Sequence, residues 1–126
     1  MVQDMIHKIT DERSYALAIE SEEYLSVVIF LHRRRCSCKR IRYEMESVSE
    51  YFTRTGICVR FYTVDVEDPK LADIVDEYEV EYTPVTVFIY GTDRVGTVQG
   101  FKNKIEIIDM VYDTLIKLKE SEGIVL

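Results

Sequence analysis

Cysteine, glycine and proline are scarce in this sequence of 126 residues, which contains three, five and two of them. With 47% hydrophobic and 31% charged residues, this composition excludes a disordered or fibrous chain and predicts one folded domain over residues 1–126. No apolar run approaches the roughly 20 residues of a membrane-spanning helix, and the first residues lack the apolar stretch of a secretory signal. An odd number of cysteines fits no secreted disulfide framework, so we expect a reducing, intracellular location.

Positive charge is concentrated in one short stretch. The whole chain carries a net charge of −7, yet residues 33–42 hold six of its sixteen Lys and Arg residues and no acid, which leaves −13 for the rest. The six cations are Arg33, Arg34, Arg35, Lys39, Arg40 and Arg42. This uneven charge distribution gives information about the partners of the protein rather than about its fold.

The basic stretch has two interpretations, a solvated run of charges or a contact surface for an anion. Cations near a helix start oppose the helix dipole by about 0.3–1 kcal/mol each, so fold stability does not explain them. Arginine offers paired donors to carboxylate or phosphate. Because the acidic remainder repels a long polyanion, we expect an acidic protein partner, or a limited RNA phosphate contact within a larger assembly. No pattern indicates the oligomeric state.

Hydrophobic periodicity predicts an α/β protein. The expected elements are a helix at 10–23, a strand at 25–31, a helix at 38–55, a strand at 57–66, a helix at 68–78, strands at 83–90 and 94–101, and a helix at 103–119. Helical crossovers predict parallel early strands, and the last two strands predict an antiparallel hairpin, with helices on both faces of the sheet. In the last helix we expect Ile105, Ile108, Tyr112, Leu115 and Ile116 to face inward. Cys58 is expected on a strand as a small buried hydrophobic residue.

Two segments resemble thioredoxins. VVIF, a short loop and then Cys38-Lys39 at a helix start resemble the strand and Cys-x-x-Cys-Lys motif of that family, and YEVEYTPVTVFIYG resembles its segment with a cis-proline beside the active site. The resemblance implies a thioredoxin-like fold and a cis peptide between Thr83 and Pro84. The sequence departs from the family in having Arg35 in place of the attacking cysteine, Ile29 in place of a buried aspartate, and no tryptophan. Ordinary dithiol exchange is therefore not expected.

A narrower resemblance is to the Dim family of thioredoxin-like proteins in the spliceosomal tri-snRNP, which keep only the second cysteine. The segments that carry it are MIHKI and AIESEE near the N-terminus, His32 shortly after the first strand, YTPVTVF, and FKNKIEIIDMVYDTL followed by EGIVL. This resemblance implies a non-catalytic scaffold without a cofactor, acting in nuclear pre-mRNA splicing through protein partners. The sequence departs from it where RRRCSC replaces an acidic loop and where the chain stops at Leu126 without the family's further tail.

Two alternatives remain open. Cys36 and Cys38 are candidates for a thiol oxidoreductase or redox sensor, because a helix start and neighbouring cations stabilise a thiolate. The chain could instead be a cytoplasmic adaptor of another assembly, such as the microtubule cytoskeleton, where the basic stretch would meet acidic surfaces. A metal site is not expected, because the cysteine spacing and the isolated His7 and His32 do not match a ligand set.

Overall fold

The computed structural model describes residues 6–32 and 34–125, and these residues form five β-strands and four α-helices. The strands are β1 (Ile6–Lys8), β2 (Leu25–Leu31), β3 (Val59–Asp65), β4 (Val85–Tyr90) and β5 (Asp93–Gln99). The helices are α1 (Glu12–Ile19), α2 (Cys36–Thr55), α3 (Ala72–Glu77) and α4 (Lys104–Glu122), and a short 3-10 helix at Pro69–Leu71 precedes α3. Within the described ranges, no helix is both long and apolar enough to cross a bilayer.

The strands form one mixed sheet in the order β1-β3-β2-β4-β5. β3 pairs in parallel with both β1 and β2, whereas β4 pairs antiparallel with β2 and with β5. The predicted α/β class, with parallel early strands and an antiparallel hairpin, is confirmed. The edge strand β1 was not among the predicted elements, because three residues are too few to show a periodic pattern.

Strand β2 occupies the centre of the sheet, and all seven of its residues are buried. On one face, its odd-numbered residues from Leu25 to Leu31 pack with α2 and α4. On the other face, Val28 and Phe30 pack with α1 and α3. The buried hydroxyl of Ser26 donates a hydrogen bond of 2.8 Å to the carbonyl oxygen of Ala18 in α1. Helices therefore cover both faces, as a continuous apolar strand requires.

Local signals set the ends of the helices. Helix α1 begins at Glu12 rather than at the predicted residue 10, and Asp11 caps it, because the Asp11 carboxylate accepts a hydrogen bond of 2.7 Å from the Ser14 N–H. Asn103 caps α4 in the same way by accepting from the Glu106 N–H at 2.9 Å. Gly56 ends α2 with a φ of 75°, a left-handed conformation that glycine adopts without a steric penalty.

The predicted inward face of α4 is partly wrong. Ile107, Val111 and Leu118 are the residues that α4 buries, whereas Ile105 and Ile116 are 71% and 52% exposed. Ile108, Tyr112 and Leu115 lie between these two groups and are partly buried against the core. The helix is apolar around much of its circumference, so periodicity alone does not select the stripe that docks.

The prediction of a buried Cys58 is also wrong. β3 begins at Val59, so Cys58 belongs to the connection from α2, and its side chain is exposed. Its backbone carbonyl accepts a hydrogen bond of 3.0 Å from the Leu25 N–H at the start of β2. The position is therefore fixed by its backbone, and the thiol itself is not a core group.

The observed buried face of α4 gives a test of core packing. We expect Ile107→Ala to lower the free energy of unfolding by about 2–5 kcal/mol, because it leaves a cavity in the core. Ile105→Ala, the matched control, should change it by less than about 0.5 kcal/mol, because Ile105 is exposed. Urea denaturation followed by circular dichroism measures both. Equal destabilisation by the two substitutions would contradict this packing.

Candidate binding site at the start of helix α2

The candidate site lies where the chain leaves the carboxyl end of β2. Phe30 pairs with Val85, so the antiparallel register sets Leu31 opposite Pro84 at the beginning of β4. The Thr83–Pro84 peptide bond is cis, and the carbonyl oxygen of Pro84 accepts a hydrogen bond of 2.8 Å from the Gly100 N–H. The start of α2 and the cis-proline therefore share one end of the sheet.

Helix α2 begins two residues earlier than the sequence predicts. Arg35 is its N-cap residue, with φ −85° and ψ 138°, and Cys36 is its first helical residue. Among the described residues, no side chain caps the helix, and its first turn holds no acid. The first N–H groups of α2 are therefore surrounded by cations rather than by a capping carboxylate, which makes this end of the molecule strongly electropositive.

The early start of α2 separates its two cysteines. Cys36 is exposed, whereas Cys38 is 1% exposed and packs in the core beside α4. Side chains two residues apart in a helix do not face each other. The Cys38 Sγ instead accepts a hydrogen bond from the His32 N–H at 3.2 Å. A Cys36–Cys38 disulfide would consequently require the first turn of α2 to unwind.

His32 links the start of α2 to the loop after β3. Its Nε2 lies 3.2 Å from Oε1 of Glu67, and its Nδ1 accepts a hydrogen bond of 3.4 Å from the Arg34 N–H. Because Nδ1 accepts, the proton of the neutral ring lies on Nε2 and points to the Glu67 carboxylate. The contact with Glu67 was not predicted, since the two residues are 35 positions apart and no local pattern joins them.

The cations of this end are exposed. We define the basic surface as Arg34, Arg35, Lys39, Arg40 and Arg42; Arg33, which the sequence grouped with them, lies outside the described residues. Among residues 6–32 and 34–125, no carboxylate forms an ion pair with any of these five. The Arg40 guanidinium lies over the Phe101 ring, 4.5 Å from its centroid. The other four side chains are available to an anionic partner.

The comparisons with known proteins agree with this architecture. The family model described as Thioredoxin matches residues 6–113. The chain belongs to the thioredoxin family. Among curated proteins, none matches the sequence significantly.

Solved thioredoxin structures resemble this thioredoxin-family chain in fold. One from Malassezia sympodialis has 22% identity and a TM-score of 0.74, covering 86% of this chain and 90% of its own. One from Schistosoma mansoni has 23% identity and a TM-score of 0.73, covering 88% and 99%. One from Nicotiana alata has 20% identity and a TM-score of 0.75, covering 90% and 96%. At these identities the likeness establishes the fold alone.

Two positions, 29 and 35, lack the groups that dithiol exchange uses in the thioredoxin motif. Arg35 stands at the position that the thioredoxin motif gives to the attacking cysteine, and the side chain of Ile29, in place of the buried aspartate, is fully buried. No carboxylate is therefore available there to accept a proton from Cys38. In residues 6–32 and 34–125, no three or more His, Cys, Asp and Glu side chains are grouped to hold a metal ion.

The burial of the thiols predicts their reactivity. In the native protein, we expect iodoacetamide to modify Cys36 and Cys58 quickly and Cys38 at least about tenfold more slowly, because Cys38 is buried and hydrogen-bonded. Tandem mass spectrometry, which assigns the label within the tryptic peptide shared by Cys36 and Cys38, measures the three rates, with the denatured protein as the control in which all three react. Modification of Cys38 as fast as Cys36 in the native protein would contradict the observed burial.

Proposed function

We propose that this chain is a non-catalytic thioredoxin-fold binding protein whose basic surface holds an acidic segment of a partner protein. The observation that carries the proposal is the arrangement at the start of α2, where Arg35 replaces the attacking thiol and the buried Cys38 is turned into the core. Dithiol exchange needs an exposed thiolate with a second thiol within bonding reach. Cys36 and Cys38 do not meet that requirement while α2 is intact.

The charges at this site support an acidic partner. Exposed guanidinium and ammonium groups, which have no carboxylate partner within residues 6–32 and 34–125, gather at a helix end without a side-chain cap from that part of the chain. A carboxylate-rich segment would receive charge-assisted hydrogen bonds from the arginines and from the first N–H groups of α2. Tyr82 and Tyr43, 71% and 72% exposed, add apolar area of the kind that protein interfaces use.

We further propose an assembly, a process and a compartment. The segments shared with the Dim family support membership of the spliceosomal tri-snRNP, a role in pre-mRNA splicing and a nuclear location. The family model and the solved structures are general to thioredoxins, so this finer proposal depends on those segments alone. An adaptor role on the microtubule cytoskeleton would use the same basic surface. Co-purification with snRNP proteins or with tubulin separates the two assemblies.

A second candidate function is thiol-disulfide exchange or redox sensing. Membership of the thioredoxin family and the exposed thiol of Cys36 in the first turn of α2 favour it. In this case Cys36 would attack a substrate disulfide, forming a mixed disulfide and releasing a substrate thiolate. Cys38 would resolve the mixed disulfide only after the first turn of α2 had opened.

Insulin reduction with a recharging reductase distinguishes the two functions. We expect no turnover by the wild-type protein above that of Cys36→Ser and Cys38→Ser, because Arg35 occupies the attacking position. Arg35→Cys is the matched gain-of-function variant, and it should produce measurable turnover if only the attacking thiol is missing. Wild-type turnover that disappears in both serine variants would replace the binding proposal with the redox one.

The binding proposal has its own test with a defined probe. A fluorescent oligoglutamate peptide should bind the wild-type protein, and Arg34→Gln/Arg35→Gln should weaken that binding about tenfold or more through the loss of charged hydrogen bonds. Lys117→Gln/Lys119→Gln on α4 removes the same charge elsewhere and should change the affinity little. Fluorescence anisotropy at low and high salt measures both. Stronger binding of oligouridylate than of the peptide would assign the surface to RNA phosphate.

A further inference from the structure

A second electropositive feature lies at the opposite end of the sheet, away from α2's first turn. A cleft of about 360 Å³ opens between α1 and the strands β1 and β3. Its lining residues are His7, Lys8, Ile9, Ser14, Leu17, Ala18, Tyr24, Arg60 and Tyr62. None of them is acidic, although the chain has 23 Asp and Glu residues. The lining of this cleft thus carries the positive charges of Lys8 and Arg60, and Glu23 lies in an adjoining cleft that Tyr24 and Arg60 also line.

Arg60 is positioned to present its donors to this cleft. Its guanidinium lies over the Tyr24 ring, 4.5 Å from the centroid, and no carboxylate pairs with it among residues 6–32 and 34–125. Stacking on an aromatic face leaves the N–H edges of a guanidinium free to bind an anion. The ring contact therefore orients Arg60, and the Tyr62 hydroxyl engages only part of its N–H donors.

Aromatic and apolar groups surround these donors. The rings of His7 and Tyr62 pack at 5.7 Å between centroids, and the Tyr62 hydroxyl donates to the Tyr24 hydroxyl at 3.3 Å. Burial is the main cause that raises the pKa of Tyr62, so its hydroxyl stays neutral and adds no negative charge. On the side of α1, Leu17 is 57% exposed and gives the cleft an apolar rim.

We propose that this cleft binds a phosphate monoester carried on a planar ring, of the size of one mononucleotide, with Arg60 holding the phosphate. A volume of about 360 Å³ lies in the range of small-ligand pockets, about 300–1,000 Å³. The cations match the charge of a phosphate monoester, and the exposed His7 ring with Leu17 offers contact area to a planar ring. This inference does not depend on the proposed function, which uses the other end of the sheet.

Three probes separate the two halves of the ligand. AMP carries both ring and phosphate, adenosine lacks the phosphate, and inorganic phosphate lacks the ring. We expect AMP to bind at least about tenfold more tightly than either fragment, because only AMP uses both the Arg60 donors and the aromatic contacts. Calorimetry gives the affinities, and amide NMR shifts of the full chain locate the site. A short RNA with a 5′-phosphate shows whether a free mononucleotide or a nucleic-acid end binds better.

Variants assign the binding to named residues. Arg60→Met, which keeps an apolar stem, and Tyr24→Leu, which removes the stacking ring, should each weaken AMP binding about tenfold or more. Lys117→Met removes one exposed charge on the other face of the sheet and should leave the affinity unchanged. Circular dichroism confirms that each variant is folded. The proposal is overturned if AMP does not bind, if adenosine binds equally well, if Arg60→Met keeps full affinity, or if the NMR shifts cluster at the basic surface.

Discussion

The burial of β2 on both faces is the constraint on which the rest of the structure depends. Seven consecutive buried residues exclude water from both sides of the central strand, so the chain must supply helices for each face. Because β2 pairs with β3 and β4 along its length, the chain emerges from the core only beyond the strand, and the candidate site lies where it does so at the carboxyl end of β2. The loop that carries Glu67 and the cis-proline before β4 lie at that same end of the sheet. The candidate site is thus placed by the core, before any of its polar groups interact.

The point at which α2 begins decides what this site can do. Starting the helix at Cys36 turns Cys38 into the core, where its sulfur accepts a backbone hydrogen bond and acts as a structural group. The same start leaves Arg35 at the N-cap and lines the exposed side of the first two turns with cations. Replacement of one thiol by a guanidinium therefore keeps the family's scaffold and removes the attacking thiol, and under the proposed function the ligand is an anion rather than a disulfide.

Much of this fold is predictable from the sequence because its strongest signals are local. Short stretches of sequence are enough to predict three of its elements. These are the buried strand β2, the long amphipathic α2 with Gly56 after it, and the β4–β5 hairpin. β1 has three residues and is recognised only by its pairing with β3. The docking face of α4 and the exposure of Cys58 depend on tertiary packing, which periodicity does not encode. At the site, the sequence itself shows the cluster of cations, whereas the contact of His32 with Glu67 depends on the tertiary fold.

Charge distribution limits the kind of anion that this molecule can hold. The basic stretch of residues 33–42 is small beside the net −13 of the other residues, and surface charges act over only about 8–10 Å in physiological salt. A short anionic segment can lie within that distance of the cations while avoiding the acidic remainder, whereas a long polyanion must cross it. The cleft at Arg60 is subject to the same limit, since its volume of about 360 Å³ matches a small ligand. Under both proposals, the electropositive features would hold compact anions rather than extended nucleic acid, because the acidic remainder of the chain repels a long polyanion.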